Sequence, residues 1–336
     1  MQNEKHENKN RKGADPIMKS ASAPAANGNA AALDAKKKQR LKLQRSIPLY
    51  VLLLPSAILL FCFSYLPMGG VIMAFQRYSP ALGFFKSPWV GFDNFIQFFN
   101  SYQFSITIKN TFVLSIYGMV VGFPLSMGLA LMCNQMRTKM FKKVFQVVTY
   151  LPHFISTMVM CGLILIFLSP SSGIMANLFR LIGKEAPNVM ASASAFSHVY
   201  VWSDVWQHLG WDSIIYLAAL SSVDPSHYEA ATLDGASTLQ KIWYIDIPML
   251  MPTVMTMLIL RAGSILGIGF EKVFLLQNTT NMAASEILST YVYKMGIQNM
   301  NYSLSAAIGL FNTLVNIVVL LIVNYVSKKV TDTSIF

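Results

Sequence analysis

Charged residues are scarce in this chain: they fill 12% of its 336 positions, about half the usual share. That is not the composition of a soluble domain. Cysteine is scarcer still. Cys62, Cys133 and Cys161 all lie in apolar stretches, and none has a second cysteine at metal-ligand spacing. An odd count so placed excludes a disulfide framework, and the three read as small buried hydrophobes. Motifs that carry chemistry are missing too. There is no His-Glu-x-x-His and no Gly-x-Ser-x-Gly, so neither a zinc protease nor a serine hydrolase is indicated. A phosphate-binding Gly-x-x-x-x-Gly-Lys loop also fails, because Glu185 follows Gly183-Lys184 and Leu178 stands where the first glycine is needed. No catalytic residue, no metal site and no ATP site of its own are expected.

What the sequence has instead is apolar length. Hydrophobic residues make up 54%, gathered into runs of the roughly 20 residues that cross a bilayer as helices. Six such spans are predicted, near 47–75, 106–133, 144–168, 197–222, 252–276 and 304–326. The first follows a basic flank as a signal peptide would, but it is too long and lacks a small-residue cleavage site. It is expected to remain as an uncleaved helix, bent near Pro55 or Pro67. Residues 1–45 form a basic arm without periodicity, expected to be disordered. Six of its cations, Lys36, Lys37, Lys38, Arg40, Lys42 and Arg45, sit directly before the first span. Such a cluster fixes topology more readily than it binds nucleic acid, and no nucleic-acid partner is expected. Thirteen near-membrane cations fall on the side of this arm and six on the other. That bias places both termini in the cytoplasm of a multi-pass protein of the bacterial cytoplasmic membrane.

On the outer side, Trp89-Val-Gly-Phe-Asp-Asn-Phe95 is dense in aromatics. It reads either as a short helix lying at the membrane surface or as an aromatic belt. On the inner side, residues 224–248 read as two short helices. Asp224 caps the first, with Pro225 at its first position, and Gly235 ends it. Ser237 and Gln240 form a capping box for the second, which Pro248 is expected to terminate. Glu229 beside Ala230 and Ala231 sets one carboxylate among minimal side chains. Another protein's backbone can approach closely there and bring an arginine to the acid. The residues alone fit such a docking knob or an ordinary structured loop.

At this loop the chain resembles a known family. Glu229-Ala230-Ala231, Gly235, Ile245 and Pro248 match the pattern that marks permeases of binding-protein-dependent ABC importers, with Ile247 where leucine is usual. Asp234-Gly235-Ala236, Pro67, Gly91–Phe95, Leu151-Pro152 and Gly173-Ile174 with Asn177 are similar to the carbohydrate branch of that family. Residues 46–336 resemble the first, MalF-like member of a pair of sugar permeases. They are most similar to LplB-type permeases assigned to complex or oligomeric sugars. The resemblance implies an all-α integral membrane fold of the type I importer class, with six spans and a coupling helix in the 224–248 loop. It implies that Glu229, Ala230, Ala231, Asp234, Gly235, Ile245 and Pro248 seat that loop in an ATPase subunit. The partners it implies are a second homologous permease, two copies of a cytoplasmic ATPase that binds ATP and magnesium, and an extracytoplasmic solute-binding protein. The cargo is then an oligosaccharide. A permease for a non-sugar solute is one alternative. An ion-coupled transporter is another, and it requires paired broken helices in mid-membrane, of which the sequence shows no sign.

Polar residues inside the spans are the candidates for solute contact, because ionisable groups are costly there. The fifth span carries Arg261, Ser264, Ile268 and Glu271, expected on one helical face. In the resembling sugar permeases that stretch faces the solute, which selects Arg261 and Ser264; pairing of Arg261 with a carboxylate of the partner subunit is the competing reading. Glu271 and Lys272 suit a structural ion pair. The fourth span offers Asp204, His208 and Asp212 at spacings of four, among Trp202, Trp206 and Trp211. Rings beside hydroxyl-binding groups suit a sugar, and an aromatic belt explains them equally. Trp211 and Asp212 are the candidates taken forward. In the sixth span Asn312 and Asn316, one turn apart, can bond the solute or a neighbouring helix.

Overall fold

The computed structural model describes residues 46–331. The basic arm, with its expected disorder, lies outside the described residues. The chain divides into two compact units, one ending at Gly69 and one beginning at Gly70. The described part of the first is most of α1 (Ser46–Phe75), a 30-residue helix whose apolar window has no buried residue. Helical backbone runs through both Pro55 and Pro67, and its regularity is interrupted by a π-turn at Phe61–Tyr65. Cys62 sits in that turn and is exposed, contrary to expectation, whereas Cys133 and Cys161 are buried.

The second unit is helical, and among its described residues no strand forms beyond a single Gln76–Trp89 bridge. In order come α2 (Asp93–Phe99), α3 (Tyr102–Gln135), α4 (Lys139–Tyr150), α5 (Thr157–Phe167), α6 (Ile174–Leu181) and α7 (Ala193–Ser221). They are followed by α8 (Pro225–Leu233), α9 (Thr238–Ala262), α10 (Phe270–Leu276), α11 (Leu288–Tyr293) and α12 (Tyr302–Thr331). α2 comes from the aromatic outer segment. Its Asn94 is buried and donates to the carbonyls of Ala74 and Gln76, while Phe95 and Phe98 pack inward. Helix pairs α3/α7 and α9/α12 make the broadest packing surfaces. One core gathers Leu114, Phe196, Val201, Val205 and Val273, and another gathers Phe98, Leu266, Leu288 and Ile308.

Among the described residues, four helices can cross a membrane by length and apolarity: α1, α3, α9 and α12. The bent pair α4 and α5 makes a fifth. α7 has 29 residues but is not apolar enough to meet that standard.

Two expected spans are broken. Residues 144–168 become α4 and α5, bent by 95°. Pro152 lacks the N–H that would continue α4. Leu151–Phe154 tightens into a 3₁₀ turn, and Ser156 restarts the helix by accepting from the Val159 N–H. Residues 252–276 become α9 and α10, separated by a stretch containing Gly263, Gly267 and Gly269. In hydrocarbon every backbone polar group must find a partner inside the protein. Gln207 Nε2 on α7 donates to the Ile155 carbonyl, 2.8 Å away. Asn316 on α12 accepts from the Leu266 N–H at 3.0 Å, and Ser115 Oγ on α3 donates to the Ile265 carbonyl. Each break is thus held by a side chain from a continuous helix.

Pro248 also departs from expectation. It does not end a helix, because α9 continues through it to Ala262. A π-turn at Ile242–Asp246 precedes it, in which the Ile247 N–H reaches back to the Ile242 carbonyl. Pro248 follows directly after this π-turn, where α-helical bonding resumes.

Among the glycines, the tightest approach is at Gly210 on α7. A Cβ there would stand 2.1 Å from the Thr149 carbonyl oxygen on α4 and 2.5 Å from its carbon. Backbone cannot rotate aside as a side chain can. Gly210→Ala is therefore expected to lower stability by about 1–3 kcal/mol, the usual range for overpacking. Thermal unfolding of the purified protein in detergent checks it, and an unchanged midpoint would contradict the packing described.

Candidate functional site

Two groups of expected residues are brought together, one in the 224–248 loop and one in the middle of the bundle. In the loop, Asp224 caps α8 through the Ser226 N–H at 2.9 Å. That bond holds the Asp224 carboxyl below its ordinary range. Gly235 has φ +76°, the left-handed conformation that ends α8 at little cost only for glycine. The Ser237–Gln240 capping box forms, and Lys241 Nζ donates to Thr232 Oγ1 across the two helices at 2.7 Å. Glu229, Ala230, Asp234 and Gly235 are exposed, Ala231 and Ile245 partly so, and Leu233 is 90% exposed. Among the described residues no cation pairs with Glu229.

The loop is joined to the bundle by a residue that sequence reasoning missed. Asp246 is fully buried, and its carboxylate accepts from Tyr228 Oη of α8 at 2.5 Å and from Gln135 Nε2 of α3 at 3.0 Å. Burial, with the adjacent Asp246 carboxylate, pushes the Tyr228 phenol up to about 12. It stays protonated, and donating, throughout the working range. The only sequence signal was an acid in an otherwise apolar stretch, Ile242-Trp-Tyr-Ile-Asp-Ile247.

In the bundle, two cavities meet at Arg261. The first, of about 340 Å³, lies against the α9–α10 break and is lined by Asp204, His208, Ser264, Glu271, Lys272 and others. The second, of about 220 Å³, is lined by Phe123, Trp211, Asp212, Tyr216, Met257 and Arg261. Arg261 borders both. The break prevents Arg261 and Glu271 from sharing a helical face, yet the turn brings Arg261, Ser264, Ile268 and Glu271 to one cavity wall. Arg261 pairs within its own chain: Nη2 lies 2.6 Å from Asp212 Oδ2, and the guanidinium stands 5.8 Å from the Phe123 ring centre. Lys272 turns away from Glu271 to Asp204, 3.3 Å off, and lies beside the Tyr200 ring. His208 meets the same Asp204 carboxylate at 3.4 Å. Asp204 and Asp212 are thus engaged by cations, and among the described residues no three metal-ligating side chains converge.

The tryptophans separate. Trp211 lines the second cavity and stacks on His153 at 4.2 Å and 3°, whereas Trp202 and Trp206 border neither cavity. His153, just after the helix-breaking Leu151-Pro152, was also missed. Asn316 is committed to the Leu266 N–H, and Asn312 Oδ1 is buried without a partner; neither lines these cavities.

The family model described as the inner membrane component of binding-protein-dependent transport systems matches residues 122–332. This chain belongs to that family. Among relatives of this inner membrane component, Protein LplB of Bacillus subtilis (strain 168) is 39% identical over 294 residues, 88% of this chain and 92% of that protein. The polygalacturonan/rhamnogalacturonan transport system permease protein YteP of the same strain is 37% identical, covering 95% of this chain and 100% of its own. Among solved structures, a chain of a bacterial ABC transporter involved in the import of the acidic polysaccharide alginate superposes with a TM-score of 0.81. It is 39% identical, over 88% of this chain and 99% of that chain. The chain therefore has an ABC permease fold.

The Asp246 clamp makes a prediction. Tyr228→Phe removes one of two donors to a fully buried carboxylate, which is expected to cost about 1–3 kcal/mol. Gln135→Leu should cost a similar amount. Denaturation midpoints measure both; a Tyr228→Phe protein as stable as the parent would remove the clamp.

Proposed function

We propose that this chain is one of two permease subunits of an ATP-driven importer and carries an oligosaccharide across the bacterial cytoplasmic membrane. The observation that carries the reading is the exposed Glu229 face of α8 on a loop wired through Asp246 to α3 and α9. The carbohydrate class is supported by relatives. YteP is named for polygalacturonan and rhamnogalacturonan, and AraP of Bacillus subtilis, 29% identical over 80% of this chain, for arabinooligosaccharides.

In this reading the chain crosses the membrane six times, as α1, α3, the α4–α5 pair, α7, the α9–α10 pair and α12. Both termini then lie in the cytoplasm, as does the 224–248 loop. α8 is the coupling helix and seats in one of two copies of a separate ATPase, which binds ATP and magnesium. The second permease completes the path, and a solute-binding protein delivers cargo from outside. Glu229, Ala230, Ala231, Asp234, Gly235, Ile245 and Pro248 form or support the docking surface. Arg261, Ser264, Trp211 and Asp212 line the path, while Asn316 supports it from the neighbouring helix by holding the Leu266 N–H, and Asn312 lies outside both cavities. ATP-driven closure of the motor subunits moves the coupling helices and switches access from one side to the other.

Two outcomes are expected. Glu229→Ala removes one side of a charge-assisted contact, and truncating such a pair costs about 2–5 kcal/mol, at least tenfold in affinity. Co-purification of the ATPase should fall accordingly while the chain remains membrane-inserted. Normal recovery of a fully stimulated ATPase would count against the docking role. Trp211→Ala should reduce oligosaccharide uptake several-fold without loss of assembly, and unchanged uptake would take Trp211 out of the path. Should a non-sugar solute be the cargo, oligosaccharide-loaded binding protein will leave the ATPase rate unmoved.

A further inference from the structure

Arg261 is the one residue common to the walls of the two cavities. Below it lie Met257 and Tyr216, on the loop side of α9 and α7; beyond it lie Ser264, Glu271 and Lys272. Its guanidinium is held by Asp212 of α7 and leans on Phe123 of α3, so three helices meet at this point. The two side chains are 49% and 31% exposed. They face the cavities and are not sealed in protein. Asp204, which with Lys272 marks the first cavity, precedes Asp212 by eight residues, about 12 Å along a helix.

We propose that the Arg261–Asp212 ion pair partitions the solute path into two chambers and is opened by a polyhydroxyl solute. The inference rests on the transport reading above. Breaking the pair leaves a guanidinium and a carboxylate each without its partner. A hydroxyl both donates and accepts. One sugar hydroxyl donates to Asp212 Oδ2 while its neighbour accepts from Arg261 Nη2, so both charges remain satisfied as the pair separates. An apolar solute does neither, and a solute bearing only acceptors leaves Asp212 unmet. The pair is therefore a barrier that the cargo's own chemistry lowers, and it selects for vicinal hydroxyls before any pocket shape does. Trp211, fixed by its stack on His153, offers the next chamber a flat face for a sugar ring.

The test uses the complete importer in proteoliposomes, with Cys62, Cys133 and Cys161 replaced by serine. A single cysteine is introduced at Met257, in the chamber beyond the pair, and a membrane-impermeant thiol reagent is added outside. The parent is expected to be shielded. Asp212→Asn or Arg261→Gln should raise the labelling rate at least tenfold. The double exchange Arg261→Asp with Asp212→Arg, and the charge-preserving Asp212→Glu, should return it toward the parent value, which a general packing defect would not do. Ser264→Cys, on the near side, should label at the same rate in every background. If Met257→Cys labels equally in parent and variants while Ser264→Cys behaves as expected, the partition is overturned and the transport reading stands. Failure of the exchange to restore shielding also overturns it. If Ser264→Cys is reached only from inside, the assigned direction of the path fails, and the partition with it.

Discussion

Backbone that leaves helical geometry inside an apolar layer has nowhere to turn except to the protein itself. This constraint organises the second unit. Two helices are interrupted, at Leu151–Ser156 and at Gly263–Gly269, and the groups freed there are met by Gln207 and by Asn316 with Ser115. Those three side chains come from α7, α12 and α3, so the interruptions can exist only where the continuous helices stand beside them. The polar interior follows. Once α9 ends at Ala262, the chain turns, and side chains ten residues apart in sequence face the same space.

Ion pairs in that space have a second consequence. Asp204 holds Lys272 and meets His208, and Asp212 holds Arg261. Each acid on α7 is thus joined to a base on the interrupted helix, one on either side of the break. A charge alone in such a setting is expensive, and removal of either partner leaves the other exposed to that penalty. α7 and the α9–α10 pair are accordingly bound to each other at two levels. The cavities lie beside those bonds.

How much of this could be read from residue order depends on the range of the interactions. Asp224, Pro225, Gly235, Ser237 and Gln240 act within three or four residues of themselves, and the loop they build appears as expected. The apolar runs likewise announced α1, α3 and α12. Pro152 and the glycines at 263, 267 and 269 were visible as breakers, but a proline or glycine in an apolar run is often accommodated. Whether a helix actually parts depends on Gln207 or Asn316 arriving from a distant segment. The same holds for Asp246, whose partners lie 18 and 111 residues away. Arg261 was singled out because a cation in a span is rare, yet its Asp212 partner, 49 residues earlier, could not be inferred from spacing.

Asp246 and Arg261 lie on one helix, fifteen residues apart, about 22 Å at the ordinary rise. Gln135 and Phe123 lie on another, twelve residues apart, about 18 Å. The carboxylate of Asp246 thus gathers α8, α3 and α9 at one end, and the Arg261 guanidinium gathers α3, α9 and α7 at the other. A displacement of α8 cannot be absorbed at the loop without breaking the bonds to a fully buried acid. It must be carried along two helices whose far ends meet at the ion pair. On the transport reading, α3 and α9 thereby connect the loop to the half-exposed Arg261–Asp212 pair, with Pro124 in the one and Pro248 and Pro252 in the other as the points where a displacement can bend them.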